Sequence, residues 1–313
     1  MVIKLSYVIV SRNDSYCGDS VGRLQTTLNH TGEILEKHGK LEESEVVLTD
    51  WASPESNGPL RHCLKLNSSI SQILKIVEVP PSIASRYQRN SPFSEVHAMN
   101  VGFRKMSGQY FGRIDQDTLI GERFIKWFYN EYQVADYGFS WPRVLFSGRR
   151  NLNEIQSENY KTYLYDDKSS RSIEICHPNN FYSRVHPRNP KNRLLFYGGA
   201  VGILIVDRKL YEKTKGFNEE FIYMNNMDTE LLNRLRQEGP FYDLGLKCDG
   251  DFYHLHHTRA DGASGTHQQP HDDCEAGCRP TNPDLIRRES IPNSNPLDWG
   301  LNSEELSVFT FNG

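Results

Sequence analysis

The sequence predicts an α/β protein built on a mixed, mostly parallel sheet with helices on both faces. Three observations predict it. Continuous apolar, β-branched runs recur at residues 5–10, 45–50 and 73–80, and such runs belong to strands covered on both sides. Helix-period segments separate them, and strands alternating with helices build parallel sheets. Finally, Asn13, Asp50 and Asp115 each fall just past the carboxyl end of a strand, the edge at which open α/β sheets bind ligands.

The elements follow in order. "LSYVIV" (5–10) reads as the first buried strand and "SRND" as its exit loop. Leu24, Leu28 and Leu35 mark a helix that ends near Gly39. "EVVLTD" gives a second strand that stops at Asp50, and "ILKIVEVP" a third, stopped by Pro80 and Pro81. Val96, Met99, Phe103 and Met106 recur at 3, 4, 3 spacing, which predicts an amphipathic helix with Gly108 as its stop. "YFGRI" (110–114) is the strand that delivers Asp115-Gln116-Asp117. Phe124, Trp127, Phe128 and Tyr132 share one side of the next helix. Residues 147–193 are polar, tyrosine-rich and weakly periodic, which predicts a surface insertion. Apolar order returns from Leu194. The last 55 or so residues are rich in Pro, Asn, Gly and Asp and predict a wrapping tail with a short final helix at "SEELSVF" (303–309).

Composition narrows the function classes. The chain has 313 residues, enough for a sizeable core, and a formal net charge of −4. That balance argues against a nucleic-acid binder working by bulk electrostatics. "MVIKLSYVIVSRND" has a strand pattern and no cleavage site, and the apolar stretch 194–207 is glycine-interrupted and too short to span a bilayer. The expectation is a soluble, cytoplasmic protein whose contact with membranes, if any, is peripheral. Six cysteines are present and only Cys274 and Cys278 lie close together, so reduced thiols are expected rather than a disulfide scaffold.

Three constellations carry chemistry. Asp115 and Asp117 leave a strand two residues apart, and hard divalent cations take one or two carboxylates together with substrate phosphates. The same pair also suits an ordinary solvated loop. Asp228 precedes Leu231, Leu232 and Leu235 at the start of a helix. It suits a general base, and equally an N-terminal residue favoured by the helix dipole. "DFYHLHHTR" holds His254, His256 and His257. On an extended segment alternate side chains share a face, so His254 and His256 could converge on a metal. His267, His271, Cys274 and Cys278 offer a zinc alternative, but their spacing matches no established finger.

Taken in sequence, "YVIVSRND", "VVLTDWASP", "SEVHAMNVGFRKMSGQYFGRIDQD", "FYGGAVGILIVDRKLYEKTKGFNEEF", "MDTELLNRL" and "YHLHHTR" resemble a GT-A-fold (Rossmann-like) glycosyltransferase, most like the inverting family 2 type, over residues 3–260. The resemblance implies one catalytic domain at 1–260. Its nucleotide-sugar half would be 1–135 and its acceptor half 136–260, with the insertion at 147–193 and a tail at 261–313. It implies that Arg12 and Asp50 bind the nucleotide, Asp50 at the base. Asp115 would sit by the ribose and the metal, and Asp117 would ligate Mn²⁺ or Mg²⁺. His254, with His256, would complete the metal shell. Gly198 and Gly199 would admit donor and acceptor, and Asp228 would deprotonate the acceptor hydroxyl. Met227 departs from the acidic pair that usually stands there, so Glu230 remains an alternative base, and the choice among the three histidines stays open.

The implied activity is metal-dependent transfer of a sugar, from a UDP-sugar by preference, to a glycan or glycoconjugate. No nucleic acid and no integral membrane segment is implied. A retaining transferase of the same fold, a sugar-1-phosphate nucleotidyltransferase and a non-catalytic sugar-binding module are the alternatives. The second would carry a glycine- and basic-rich loop after the first strand, which "SRNDSYCGDSVGR" matches poorly.

Overall fold

The computed structural model describes residues 2–132, 143–165, 175–176, 202–222, 227–236, 238, 241–244, 251–257 and 295–311. Strands β1 (Leu5–Ser11), β2 (Ser44–Trp51), β3 (Leu74–Val79) and β4 (Tyr110–Ile114) run parallel, in the spatial order β4-β1-β2-β3. They alternate with helix α1 (Ser20–Lys37) and helix α2 (Glu95–Lys105). After β4 come the short β5 (Thr118–Ile120) and α3 (Glu122–Lys126), which continues as a π-helical turn over Trp127–Tyr132.

Both faces of the sheet are covered, as the continuous apolar runs require. Val8, Val47, Val77 and Phe111 pack against Val96, Met99 and Phe103 of α2. Tyr7, Ile9, Leu48 and Ile76 pack on the other face with Leu24, Leu28 and Leu35 of α1. Every residue of β1 and β2 is buried, so side chains of both alternations leave water and stabilise the sheet. Gly102 lets α2 close on it: a Cβ there would lie 2.4 Å from Val8 Cγ1.

The second half reverses direction. β6 (Val144–Ser147) and β9 (Ile203–Asp207) are antiparallel, and β9 sits between β4 and β6. β10 (Phe241–Asp243) extends that edge parallel to β6. A smaller sheet joins β5, β11 (Phe252–His254), β7 (Arg149–Asn151) and β8 (Ile175–Cys176), in the order β5-β11-β7-β8. Helix α4 (Arg208–Lys213) follows β9, and α5 (Met227–Arg236) carries Asp228 in its first turn.

The end of the chain departs from expectation. Ser307–Thr310 is not helical but forms β12, antiparallel to β3 at the outer edge of the eight-stranded sheet. Neighbouring Val308 and Phe309 favour a strand, and β3 offers an unpaired row of backbone groups that a strand satisfies and a helix cannot. Before it, Trp299 stacks on Phe103, with ring centroids 5.5 Å apart, and the Arg104 guanidinium lies 3.9 Å from the Trp299 ring centre. Residues 261–294, including His267, His271, Cys274 and Cys278, lie outside the described residues, as do Gly198 and Gly199. Among the described residues, no helix is long and apolar enough to cross a membrane.

The amino end of the sheet is tied by one buried carboxylate. Glu45 accepts from Ser6 Oγ at 2.5 Å, Lys75 Nζ at 2.6 Å and Ser107 Oγ at 2.7 Å. Its partners there are structural. The opposite, carboxyl end holds the cavity.

Candidate active site

A cavity of about 310 Å³ opens at the carboxyl end of β1 and β4. Its lining carries five carboxylates (Asp14, Glu95, Asp115, Asp117 and Asp228) and three guanidinium groups (Arg12, Arg113 and Arg149). His254 and His257 complete the polar wall, and Phe93 and Met227 are apolar.

The Asp-Gln-Asp turn is fixed from both sides. Ser11 at the end of β1 donates to Gln116. The Asp117 carbonyl accepts from the Leu255 N–H at 2.9 Å. β5 and β11 pair so that Thr118 stands opposite His254, and this register brings a histidine to Asp117 from far along the chain. His254 Nε2 lies 3.4 Å from one Asp117 oxygen and His257 Nε2 lies 3.4 Å from the other. The two Nε2 atoms are 3.2 Å apart. Two imidazole lone pairs at that distance repel, so either a proton between them or a cation that both ligate satisfies the pair. Burial works against an ionised Asp117, yet the two histidines and Arg149 hold it well below the usual carboxylate range.

Asp117, His254 and His257 thus present three ligand atoms within 4.8 Å of one another. Two imidazoles and a carboxylate suit Mn²⁺ or another transition-type divalent ion. The lining also carries more acid than base, which a divalent cation offsets. The residues present therefore fit the metal.

His256 is not brought to this group. β11 ends at His254, the alternation of a strand ends with it, and the following turn brings in His257 instead. His256 is exposed, and its N–H donates to Ser157 Oγ at 2.7 Å. Asp115 sits between two arginines, 3.1 Å from Arg113 and 2.7 Å from Arg149.

Asp228 lines the cavity and pairs there with Arg113. The Arg113 guanidinium is 4% exposed and lies 2.7 Å from Asp228 and 2.8 Å from Glu95. Burial works against the charge on Arg113, but Asp115, Asp228 and Glu95 raise its pKa well above the ordinary value. Burial pushes the Glu95 carboxyl up to about 7, against the pull of Arg113. Glu230, the alternative base, faces away from the cavity lining and makes a two-point pair with Arg234 at 2.6 and 2.7 Å.

The remaining predicted nucleotide contacts divide. Arg12 lines the cavity, donates to the Pro92 carbonyl at 2.5 Å and lies 3.3 Å from Asp14. Asp50 lies outside the lining. It accepts from the Leu60 N–H at 2.7 Å and from Ser53, and burial pushes it up to about 6. Sequence reasoning did not mark Glu95, Arg113 or Arg149, and it left His257 as one of three open candidates. One signal was present: an arginine inside the buried run "YFGRI" breaks the apolar pattern, and arginine is almost never fully buried without a partner.

No family model matches the chain, and no curated protein matches it in sequence. Solved structures do. S. aureus TarS 1-349 superposes with a TM-score of 0.52 at 16% identity, covering 81% of this chain and 60% of that one. The fold is GT-A. This chain spans about 60% of that TarS chain. The catalytic domain of Drosophila beta1,4galactosyltransferase 7, solved with xylobiose, aligns at 14% identity and TM-score 0.43, over 92% of this chain and 81% of that one. The mannosyltransferase PcManGT from Pyrobaculum calidifontis, solved with GDP-Man and Mn²⁺, aligns at 14% identity and TM-score 0.47, over 84% and 60%.

Proposed function

We propose that this protein is a metal-dependent glycosyltransferase. It moves a sugar from a nucleoside-diphosphate sugar to a hydroxyl of a glycan or glycoconjugate, with inversion. One observation carries the reading: the three-ligand group Asp117, His254 and His257 opens into the same cavity as Asp228, on the carboxyl edge of a GT-A sheet. The residue pattern resembles transferases that favour UDP-sugars, so uridine donors are the first to test.

The chain's residues divide the work. Asp117, His254 and His257 would hold the cation. When bound, Mn²⁺ or Mg²⁺ supplies Lewis-acid stabilisation of the charge on the leaving group. Asp228 takes the proton of the acceptor hydroxyl. The oxygen's lone pair forms the new bond to the anomeric carbon as the bond to the diphosphate oxygen breaks. That bonding pair leaves with the nucleoside diphosphate. The sugar is oxocarbenium-like between the two, as in glycoside hydrolysis. Arg113 fixes Asp228 from below, so the base need not be ordered at the moment of transfer.

The test is calorimetric titration of nucleotide sugars with Mn²⁺ and then with EDTA, followed by donor turnover. Metal-dependent binding of one donor, with turnover, is expected. Folded protein that binds none of them sinks the proposal, and binding without turnover replaces it with a sugar-binding module.

A further inference from the structure

We infer that Arg149 is a second cation for the donor diphosphate, aimed into the cavity by Gly202. The inference rests on the glycosyltransferase reading above and assigns a residue that the sequence pattern did not mark. β7 lies beside β11, with Asn151 opposite His254, and Arg149 stands two residues before Asn151 on that strand. Its Nη1 lies 2.7 Å from Asp115, 3.0 Å from Thr118 Oγ1 and 3.4 Å from Asp117. Among the described residues its Nε and Nη2 make no hydrogen bond. A guanidinium has five donors in a fixed fork that matches two phosphate oxygens. One edge of this fork holds the acids and the other is available to a ligand.

The cavity's other arginines are committed. Arg113 is buried among three carboxylates, and Arg12 is held by Asp14 and the Pro92 carbonyl. Arg149 keeps 15% of its side-chain surface exposed.

Gly202 gives a second, independent observation. A Cβ at that position would lie 2.3 Å from Arg149 Cγ, 2.6 Å from Cδ and 2.7 Å from Nε. The arginine stem lies flat against bare backbone, and any larger residue at 202 would displace it. A side chain that needs an empty Cβ position along its stem has one aim rather than several.

Calorimetry with Mn²⁺ on the full chain tests this, using UDP, GDP, dTDP and CDP against their monophosphates. The wild type is expected to prefer one diphosphate over its monophosphate. Arg149→Ala should weaken that diphosphate about ten- to hundredfold and leave the monophosphate nearly unchanged. Gly202→Ala should act in the same direction, and should add nothing in the Arg149→Ala background. Mn²⁺ binding without nucleotide should survive in both variants. An unchanged diphosphate preference in Arg149→Ala overturns the inference alone, as does lost Mn²⁺ binding. Additive effects of the two substitutions overturn the aiming role of Gly202. A wild type that binds no nucleotide overturns the transferase reading itself.

Discussion

At the scale of the residue, the site is a problem of crowded charge. Arg113 and Arg149 separate carboxylates that would otherwise repel, and Arg149 shares Asp117 with the two histidines. His257→Ala is therefore expected to weaken Mn²⁺ binding at least ~tenfold, the loss of one of three ligands, while His256→Ala leaves it unchanged. Titration of Mn²⁺ into the two variants decides between them. Asp228→Asn should keep donor binding nearly intact and lower turnover by a factor of about 10²–10⁴, the usual contribution of a general base. Retained activity would remove Asp228 from that role. That Asp115, Asp117 and Asp228 would share one cavity was legible from the order of the family-like segments, since each acid alone equally suits a structural use. His257 was not legible, because the point at which a strand stops alternating depends on tertiary pairing and not on the three histidines themselves.

At the scale of the element, strands β1, β2 and β4 and helices α1 and α2 were readable because period and burial agree in them. β12 was not. "SEELSVF" carries helix formers, and only the open edge of β3 makes its last residues a strand. The segment before β12 clamps both α2 and the loop that follows α4. Asn295 Nδ2 donates to the carbonyls of Lys215 at 2.9 Å and Phe217 at 2.6 Å. Arg104 Nε donates to the Trp299 carbonyl at 3.0 Å. Trp299 is 4% exposed, so Trp299→Ala should cost about 3–5 kcal/mol through the cavity it leaves. Urea unfolding of the variant measures this. Because α2 begins with Glu95 in the cavity wall, the same variant should also raise the KM for donor or acceptor.

At the scale of the whole molecule, buried titratable groups set opposing pH dependences. Burial pushes His30 down to about 4 and His97 down to about 3, from an ordinary value of 6.5. The unfolded chain takes up protons that the folded one refuses, so these groups stabilise the fold above pH 6.5. That contribution is lost as pH falls through 4 and 3. Asp50 and Glu95 run the other way: raised to about 6 and about 7, they favour the fold below their ordinary carboxylate values and lose that contribution as pH rises through 6 and 7. Chemical unfolding across pH 3–8 should show His97→Gln with a shallower acid limb and Asp50→Asn with a shallower limb toward neutrality. One last property follows from the pairing of β6 with β9, where Ser147 and Ile203 are direct partners. The chain leaves that pairing at Ser147 and returns to it at Ile203, and on the way Arg149–Asn151 and Ile175–Cys176 pair in the smaller sheet. Closing such an excursion costs only about 0.6 kcal/mol more for each doubling of its length. A change of length in that excursion is therefore expected to leave the register of β6 on β9 in place.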